Sequence, residues 1–135
     1  MIDGIRDLDV AARTLWGEAR GEPDEGKAAV AWVIRNRAAK TGKRLAEICL
    51  APWQFSCWNP ADPNAGPAAA LTCGDPLYLQ GLEIVCRVMR RPDDVDPTHG
   101  ARHYFRDDLA PWPEWARGHT PCAHVGRHLF FNDVK

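Results

Sequence analysis

The chain has 135 residues, one domain's length, and its 17 Lys+Arg, 18 Asp+Glu and five His give a formal charge of −1. That balance excludes the basic excess of a dedicated nucleic-acid binder and the polybasic patch of a membrane anchor. A hydrophobic fraction of 45% with 26% charged residues fits a soluble globular protein, yet six Trp exceed what such a core needs and suggest an aromatic-lined cleft.

Met1 to Asp7 lacks the charged, apolar, then small-residue order of a secretory signal, so the chain is read as made in the cytoplasm. Leu8, Ala11, Ala12, Leu15, Trp16 and Ala19 recur at helical period and predict a first helix over residues 5–20, stopped at Gly21. Glu22-Pro23-Asp24-Glu25 opens a second helix, with Pro and acids in its first turn, running to about Lys40 before Gly42. Its apolar stretch, Ala28 to Ile34, is too short to span a bilayer, so no stable membrane insertion is expected. A short helix is predicted over Leu45 to Leu50. Residues 52–74, with four Pro, two Gly and three Asn/Asp, read as a long loop ordered by Trp53, Phe55 and Trp58. Asp75-Pro76 caps a further helix reaching about Arg91 through Leu79, Leu82, Ile84, Val85, Val88 and Met89. Ala101 to Arg106 and Arg127 to Phe131 read as short strands joined by a Pro- and Trp-containing connection. Helices first and a small antiparallel element near the C-terminus make an α+β, mainly helical fold in a single domain over residues 1–135.

Cys49, Cys57, Cys73, Cys86 and Cys122 form no C-x2-C pair. They read as buried thiols, or as one disulfide among the first four if the protein works outside a reducing compartment.

Four segments could carry chemistry. In Trp16-Gly17-Glu18-Ala19-Arg20-Gly21-Glu22, two carboxylates lie four apart across a helix end. The negative end of the helix dipole and burial beside Trp16 would both raise a Glu pKa, as a general acid requires. The same spacing also fits a solvated helix end with Arg20 pairing one Glu. Pro52-Trp53-Gln54-Phe55-Ser56-Cys57-Trp58-Asn59 interleaves aromatics with amides and a hydroxyl, which suits stacking on sugar rings; it equally suits a loop anchored to the core. In Asp96-Pro97-Thr98-His99-Gly100-Ala101-Arg102-His103-Tyr104-Phe105, strand alternation puts His103 and Phe105 on one face and Arg102 and Tyr104 on the other. His124 and His128 form H-x3-H, but across a Gly turn and without H-E-x-x-H, so no metal and no cofactor is expected.

Together these segments resemble the SleB-type cell-wall hydrolases, the spore-cortex lytic enzymes and related phage and bacterial peptidoglycan hydrolases. The likeness runs through Ala11 to Pro23, Gly26 to Ala31 with Val33 to Arg37, Gln54-Phe55-Ser56, Asp96 to Ala101 with Tyr104-Phe105, and Val125 to Phe131. The resemblance implies a lysozyme-like fold with a catalytic Glu at the end of the first long helix, here Glu18. It implies cleavage of peptidoglycan between N-acetylmuramic acid and N-acetylglucosamine by a lytic transglycosylase that uses Glu18 as acid and then base. Glu22 would orient the site, or act as base in a hydrolytic enzyme. Gln54, Ser56, Thr98 and Tyr104 would position substrate or stabilise the oxocarbenium-like state, with Phe55, Trp58 and His99 beside them. Trp53, Trp58, Trp112 and Trp115 fall on predicted loops that could line a sugar groove.

The alternatives are a hydrolytic muramidase using a second carboxylate, a peptidoglycan-binding module without turnover, and a zinc amidase or peptidase. A wall enzyme without an export signal would reach its substrate through a pore made by another protein, a holin, and is expected to act as a monomer.

Overall fold

The computed structural model describes residues 4–134; Met1 to Asp3, with which the N-terminal reading begins, and Lys135 lie outside the described residues. The helices come first: α1 (Ile5–Ala19), α2 (Asp24–Thr41), α3 (Leu45–Leu50), α4 (Ala65–Ala70) and α5 (Pro76–Arg90). The strands β1 (His103–Arg106), β2 (Ala123–Val125) and β3 (His128–Phe131) follow, so the α+β order expected from the sequence is present.

Gly42 ends α2 in the left-handed conformation (φ 72°), its N–H donating to the Ala38 carbonyl at 2.8 Å. The side chain of Asp75 caps α5 by accepting from the N–H groups of Leu77 and Tyr78 at 2.9 and 3.1 Å. Two findings differ from the expected elements. The stretch 52–74 contains α4 and a single 3-10 turn over Ser56–Trp58. In α5 the core face uses Tyr78, Gly81, Ile84, Val85 and Val88, while Leu79 is 45% exposed. Gly81 permits α1 and α5 to meet closely, since a Cβ there would lie 3.2 Å from the Ala12 carbonyl oxygen.

Helix α2 is the centre of the molecule and is apolar on two sides. Val30, Ala31, Trp32 and Ile34 join the main core with Ala11 and Leu15 of α1, Leu45 and Ile48 of α3, and Ile84, Val85 and Val88 of α5. Ala29 and Val33 face the sheet and meet Ala101 and Phe130. Among the described residues no helix is long and apolar enough to cross a membrane.

Arginine forks complete the helix ends. Arg13 donates to the Ala68 and Ala69 carbonyls at 2.9 and 3.0 Å, closing the C-terminus of α4. Arg35 does the same for α5 through the Val88 and Arg91 carbonyls at 2.8 and 2.7 Å. A planar donor fork satisfies two orphan carbonyls and complements the helix dipole, which gives one reason why 13 of the 17 basic residues are Arg.

The sheet has three antiparallel strands in the order β1-β3-β2, one strand more than the expected pair. Tyr104 stands opposite Phe130 and Phe105 opposite Leu129, while Val125 stands opposite His128. The turn between β2 and β3 has Gly126 at φ 57°, a backbone region that hairpin turns reserve for glycine. The expected alternation in β1 is present. Tyr104 faces the helices and stacks on Phe130 (5.6 Å between centroids), whereas Phe105 faces away and stacks on Phe131 (5.5 Å). On that far face Trp112 and Trp115 close over Phe105 and Phe131 at 5.3–5.9 Å, so both belong to a small aromatic core rather than to a loop free to line a groove.

All five cysteines are free thiols. Cys49 and Cys57 are buried in the main core, where burial pushes both thiols up to about 12.

Candidate active site

Glu18 lies in the last turn of α1, half-buried, on the wall of an open cleft of about 320 Å³. Its neighbour Gly17 determines what can come close. A Cβ at Gly17 would overlap the Cβ of Cys57 and lie 2.7 Å from its Sγ. The missing side chain lets the Ser56–Trp58 turn settle directly on α1. Trp58 fixes that turn by donating its indole N–H to the Thr14 hydroxyl at 2.9 Å, and Phe55 is fully buried beneath the Arg37 guanidinium. The aromatic loop is therefore pinned to the core at both positions, and its polar residues remain free to face outward.

The result is that Ser56 and Tyr104, far apart in sequence, converge on one carboxylate. The Ser56 hydroxyl is 3.4 Å from Glu18 Oε2, a long and weak hydrogen bond, and the Tyr104 hydroxyl lies near enough to favour the Glu18 carboxylate. Burial raises the pKa of Glu18, and the charge of Asp62 adds to it; Ser56, Tyr104 and the Arg37 cation oppose the rise without cancelling it. Tyr104 is itself held far above the ordinary tyrosine value by burial and by Glu18, so it stays a donor. Glu18 forms no salt bridge among the described residues. Arg20, the partner that spacing alone allowed, instead donates to the Trp16 carbonyl and to Asn64 Oδ1 at 3.1 and 3.0 Å and lies 4.1 Å over the Trp16 ring.

Glu22 lines the same cleft but in a different state. It accepts the Arg127 backbone N–H at 2.7 Å and the Arg127 Nε–H at 2.8 Å, with its side chain only 4% exposed. Burial would raise its pKa, but the Arg127 N–H donors and the nearby His128 outweigh it and hold the carboxyl below the ordinary glutamate value. His128 Nδ1 is 3.2 Å from Glu22 Oε1, yet the alignment makes no hydrogen bond and that nitrogen is buried without a partner. Glu22 is thus a tie between the α1–α2 junction and the β2–β3 hairpin.

The other expected site residues are placed as follows. Thr98 is fully buried and donates its hydroxyl to Asp96 Oδ1 at 2.7 Å. Asp96 also accepts the N–H of Thr98 and Gly100 and an Asn36 amide N–H, fastening the entry of β1 to α2. Thr98, fully buried, does not open onto the cleft. His99 is exposed, in the left-handed region (φ 55°), with its carbonyl accepting from Asn132 at 2.9 Å. Gln54 is exposed beside Arg37, 3.5 Å from its Nη1.

Arg37, Asp62 and Asn64 were not singled out from the sequence, and each acts at the site. Arg37 is fixed by donating Nε–H to the Arg102 carbonyl at 2.7 Å and projects its charge toward Glu18. Asp62 accepts the Asn64 N–H at 2.8 Å, and Asn64 reaches the cleft. No spacing signal marks Asp62, because the loop closure that brings it near depends on Gly17 and Cys57. Among the described residues no group of three His, Cys, Asp or Glu gathers at metal-binding distance. His124 is paired with Asp107 at 2.9 Å, and His103 lies tilted against the Trp115 ring at 5.2 Å.

A family model described as Cell Wall Hydrolase matches residues 21–131, a span that begins just after Glu18. The spore cortex-lytic enzyme of Bacillus subtilis is 31% identical over 127 residues; the match covers 92% of this chain and 37% of that protein, so the chain spans little over a third of its length. The crystal structure of the catalytic domain of the Bacillus cereus SleB protein superposes with a TM-score of 0.74 at 26% identity, covering 100% of this chain and 95% of that one. The catalytic domain of the germination-specific lytic transglycosylase SleB from Bacillus anthracis gives the same TM-score and identity, over 98% of this chain and 97% of that one.

Proposed function

The chain belongs to the cell wall hydrolase family, and on that premise we propose that it cuts peptidoglycan strands between N-acetylmuramic acid and N-acetylglucosamine by lytic transglycosylation. The observation that carries this reading is Glu18: a carboxyl with a raised pKa and no salt bridge among the described residues, touched by Ser56 and near Tyr104 at the edge of an open cleft. A carboxyl whose pKa is raised by burial is suited to act as a general acid.

In the first step Glu18 gives its proton to the glycosidic oxygen, and the bond from that oxygen to the muramyl C1 breaks. The sugar left behind carries oxocarbenium-like charge, which the new carboxylate faces. The Ser56 and Tyr104 hydroxyls then donate to that carboxylate and stabilise it. In the second step Glu18 takes the proton of the muramyl C6 hydroxyl as its oxygen closes on C1, giving a 1,6-anhydro ring. The nucleophile is part of the substrate, so no second carboxylate is required. This agrees with the state of Glu22, whose lone pairs are occupied by Arg127.

One observation favours a hydrolytic variant: Asp62 is close enough to raise the Glu18 pKa, and it could activate a water. Mass spectrometry of digested peptidoglycan separates the readings. Anhydromuramyl ends are expected. Reducing ends would replace transglycosylation by hydrolysis, freed peptides would indicate an amidase, and binding without fragments would leave a non-catalytic module.

A further inference from the structure

A second hollow, of about 640 Å³, is bordered by Ala51 and Gln54 of the turn that precedes Ser56. Arg37, Lys40, Lys43 and Arg102 line it, with Glu47 as the single carboxylate. Glu47 is paired with Arg44 at 3.3 Å and also feels the charge of Lys43. The side chains of Lys40, Lys43 and Arg102 form no salt bridge among the described residues. Lys40 and Arg102 also border a neighbouring hollow that contains Asp93, Asp94 and Asp96, of which Asp93 is taken by Arg35 at 2.7 Å and Asp96 by Asn36, Thr98 and Gly100. A chain with a formal charge of −1 has therefore gathered an excess of cations in one concave place.

The rim of this hollow holds a second anomaly. Gln54 N–H donates to the Ala51 carbonyl at 3.2 Å, closing a turn with Pro52 and Trp53 at its centre. Trp53 has φ 66°, the position of such a turn that normally belongs to glycine or asparagine. It is also 78% exposed, whereas Trp32 is buried and Trp16, Trp58 and Trp112 are half-buried. A bulky residue in left-handed backbone, with its ring in solvent, is costly on both counts and contributes nothing to the core. An unfilled aromatic platform beside an excess of cations suits a ligand that is acidic at one end and has an apolar face at the other.

The hollow is continuous with the chemistry. Gln54 and Arg37 line it, Ser56 two residues further reaches Glu18, and Arg37 acts electrostatically on the same carboxylate. We propose that this hollow is a stem-peptide subsite: Lys40, Lys43 and Arg102 receive the carboxylates of the peptide carried by the muramyl sugar, and Trp53 stacks on the sugar or peptide above them. The inference rests on the reading that the chain cuts peptidoglycan strands. The cations sit in one pocket rather than along a stripe, which favours a short branched peptide over a linear polyanion.

The test compares the parent with Lys40→Gln/Lys43→Gln on strands that keep their peptides and on strands stripped by an amidase. The parent is expected to show a KM about fivefold lower on peptide-bearing strands, a preference lost in the double variant and in high salt. Trp53→Gly is expected to weaken the same preference while raising Tm, because glycine relieves the left-handed backbone. Both lysines are exposed, and Tm of the double variant checks that it is folded. No preference in the parent, a preference kept by the double variant, or equal losses on both strands would overturn the subsite. Calorimetry with free stem tetrapeptide reads the subsite independently of cleavage. Binding that is lost in the double variant supports it even if neither strand is cut, an outcome that sinks the glycan-cutting reading alone. Absence of binding in the parent, or preferential binding of a glycerol-phosphate polymer, overturns it.

Discussion

The carboxylate of Glu22 is bound twice by Arg127, through the backbone N–H at 2.7 Å and through Nε–H at 2.8 Å. This joins the first helical junction to the last hairpin across more than a hundred residues of chain. Two glycines make room for it: a Cβ at Gly126 would lie 2.8 Å from Glu22 Oε1, and one at Gly26 would lie 3.1 Å from Glu22 Cβ. Glu18 and Glu22 thus look equivalent in the sequence but are opposed in the fold, one kept basic by burial and the other kept acidic by donors.

Glu22→Gln should therefore cost stability and not chemistry. A carboxyl with a lowered folded pKa contributes stability above its unfolded pKa, and that contribution disappears as pH falls through the folded value. Arg127 is 60% exposed, so solvent screens the pair, and the loss at neutral pH is expected to be about 1–2 kcal/mol. Urea melts across pH should show parent and variant converging in acid. Lytic activity should fall by no more than about tenfold; a loss as large as that of Glu18→Gln would make Glu22 a catalytic base.

Glu18→Gln should do the reverse. Activity is expected to fall by roughly 10²–10⁴-fold, the usual worth of a general acid. Stability should rise, because the raised pKa means that the fold disfavours the charged carboxyl above the ordinary glutamate range. The Tm of the variant should exceed that of the parent at about pH 7, with the gap closing as pH falls to about 3, where both states of the parent are protonated. A variant that is inactive and also less stable at every pH would place Glu18 in a structural role.

Gly17→Ala tests how the site is assembled. Its methyl would overlap Cys57, and overpacking of this kind costs about 1–3 kcal/mol. The Ser56–Trp58 turn should be pushed off α1, lowering kcat/KM as well as stability. Removing the opposing Cβ with Cys57→Gly should restore part of both losses, so that the double variant is better than the sum of the singles. Strict additivity in denaturant midpoints would refute the contact as the cause.

Helices α1, α2 and α5 were legible because Gly, Pro and Asp punctuate them locally. Gly42 ends α2 and Asp75 starts α5 through backbone bonds that need no distant partner. Helix α4 was not legible, because its six residues sit among prolines and its C-terminus is completed by Arg13 from α1. Strand β2 has three residues, too few for alternation to register. Glu18 could be picked out from its place at a helix end, but Arg37 and Asp62 reach it only through tertiary closure. The tryptophans divided in a way that no spacing encodes: Trp112 and Trp115 close an aromatic core, Trp58 is tied to Thr14, and Trp53 remains in solvent.

The hydroxyls of Ser56 and Tyr104 offer the sharpest test of the proposed mechanism. Burial is the largest influence on Glu18 and raises its pKa; the two hydroxyls are partial counterweights that favour the carboxylate. Removing either, as Ser56→Ala or Tyr104→Phe, should raise the Glu18 pKa further. If protonated Glu18 starts the reaction, kcat/KM declines as that proton is lost, so the alkaline limb of the pH profile should move upward in both variants. The maximal rate should fall by roughly tenfold, because the carboxylate formed in the first step loses a donor. Ser56 is exposed and can be truncated without opening a cavity, and Tyr104→Phe keeps the ring that stacks on Phe130, so neither variant is expected to lose much Tm. A merely structural role for either hydroxyl would lower the rate without moving the limb. A limb shifted to lower pH would mean that the hydroxyls hold Glu18 protonated rather than stabilise its carboxylate, reversing the roles assigned to them.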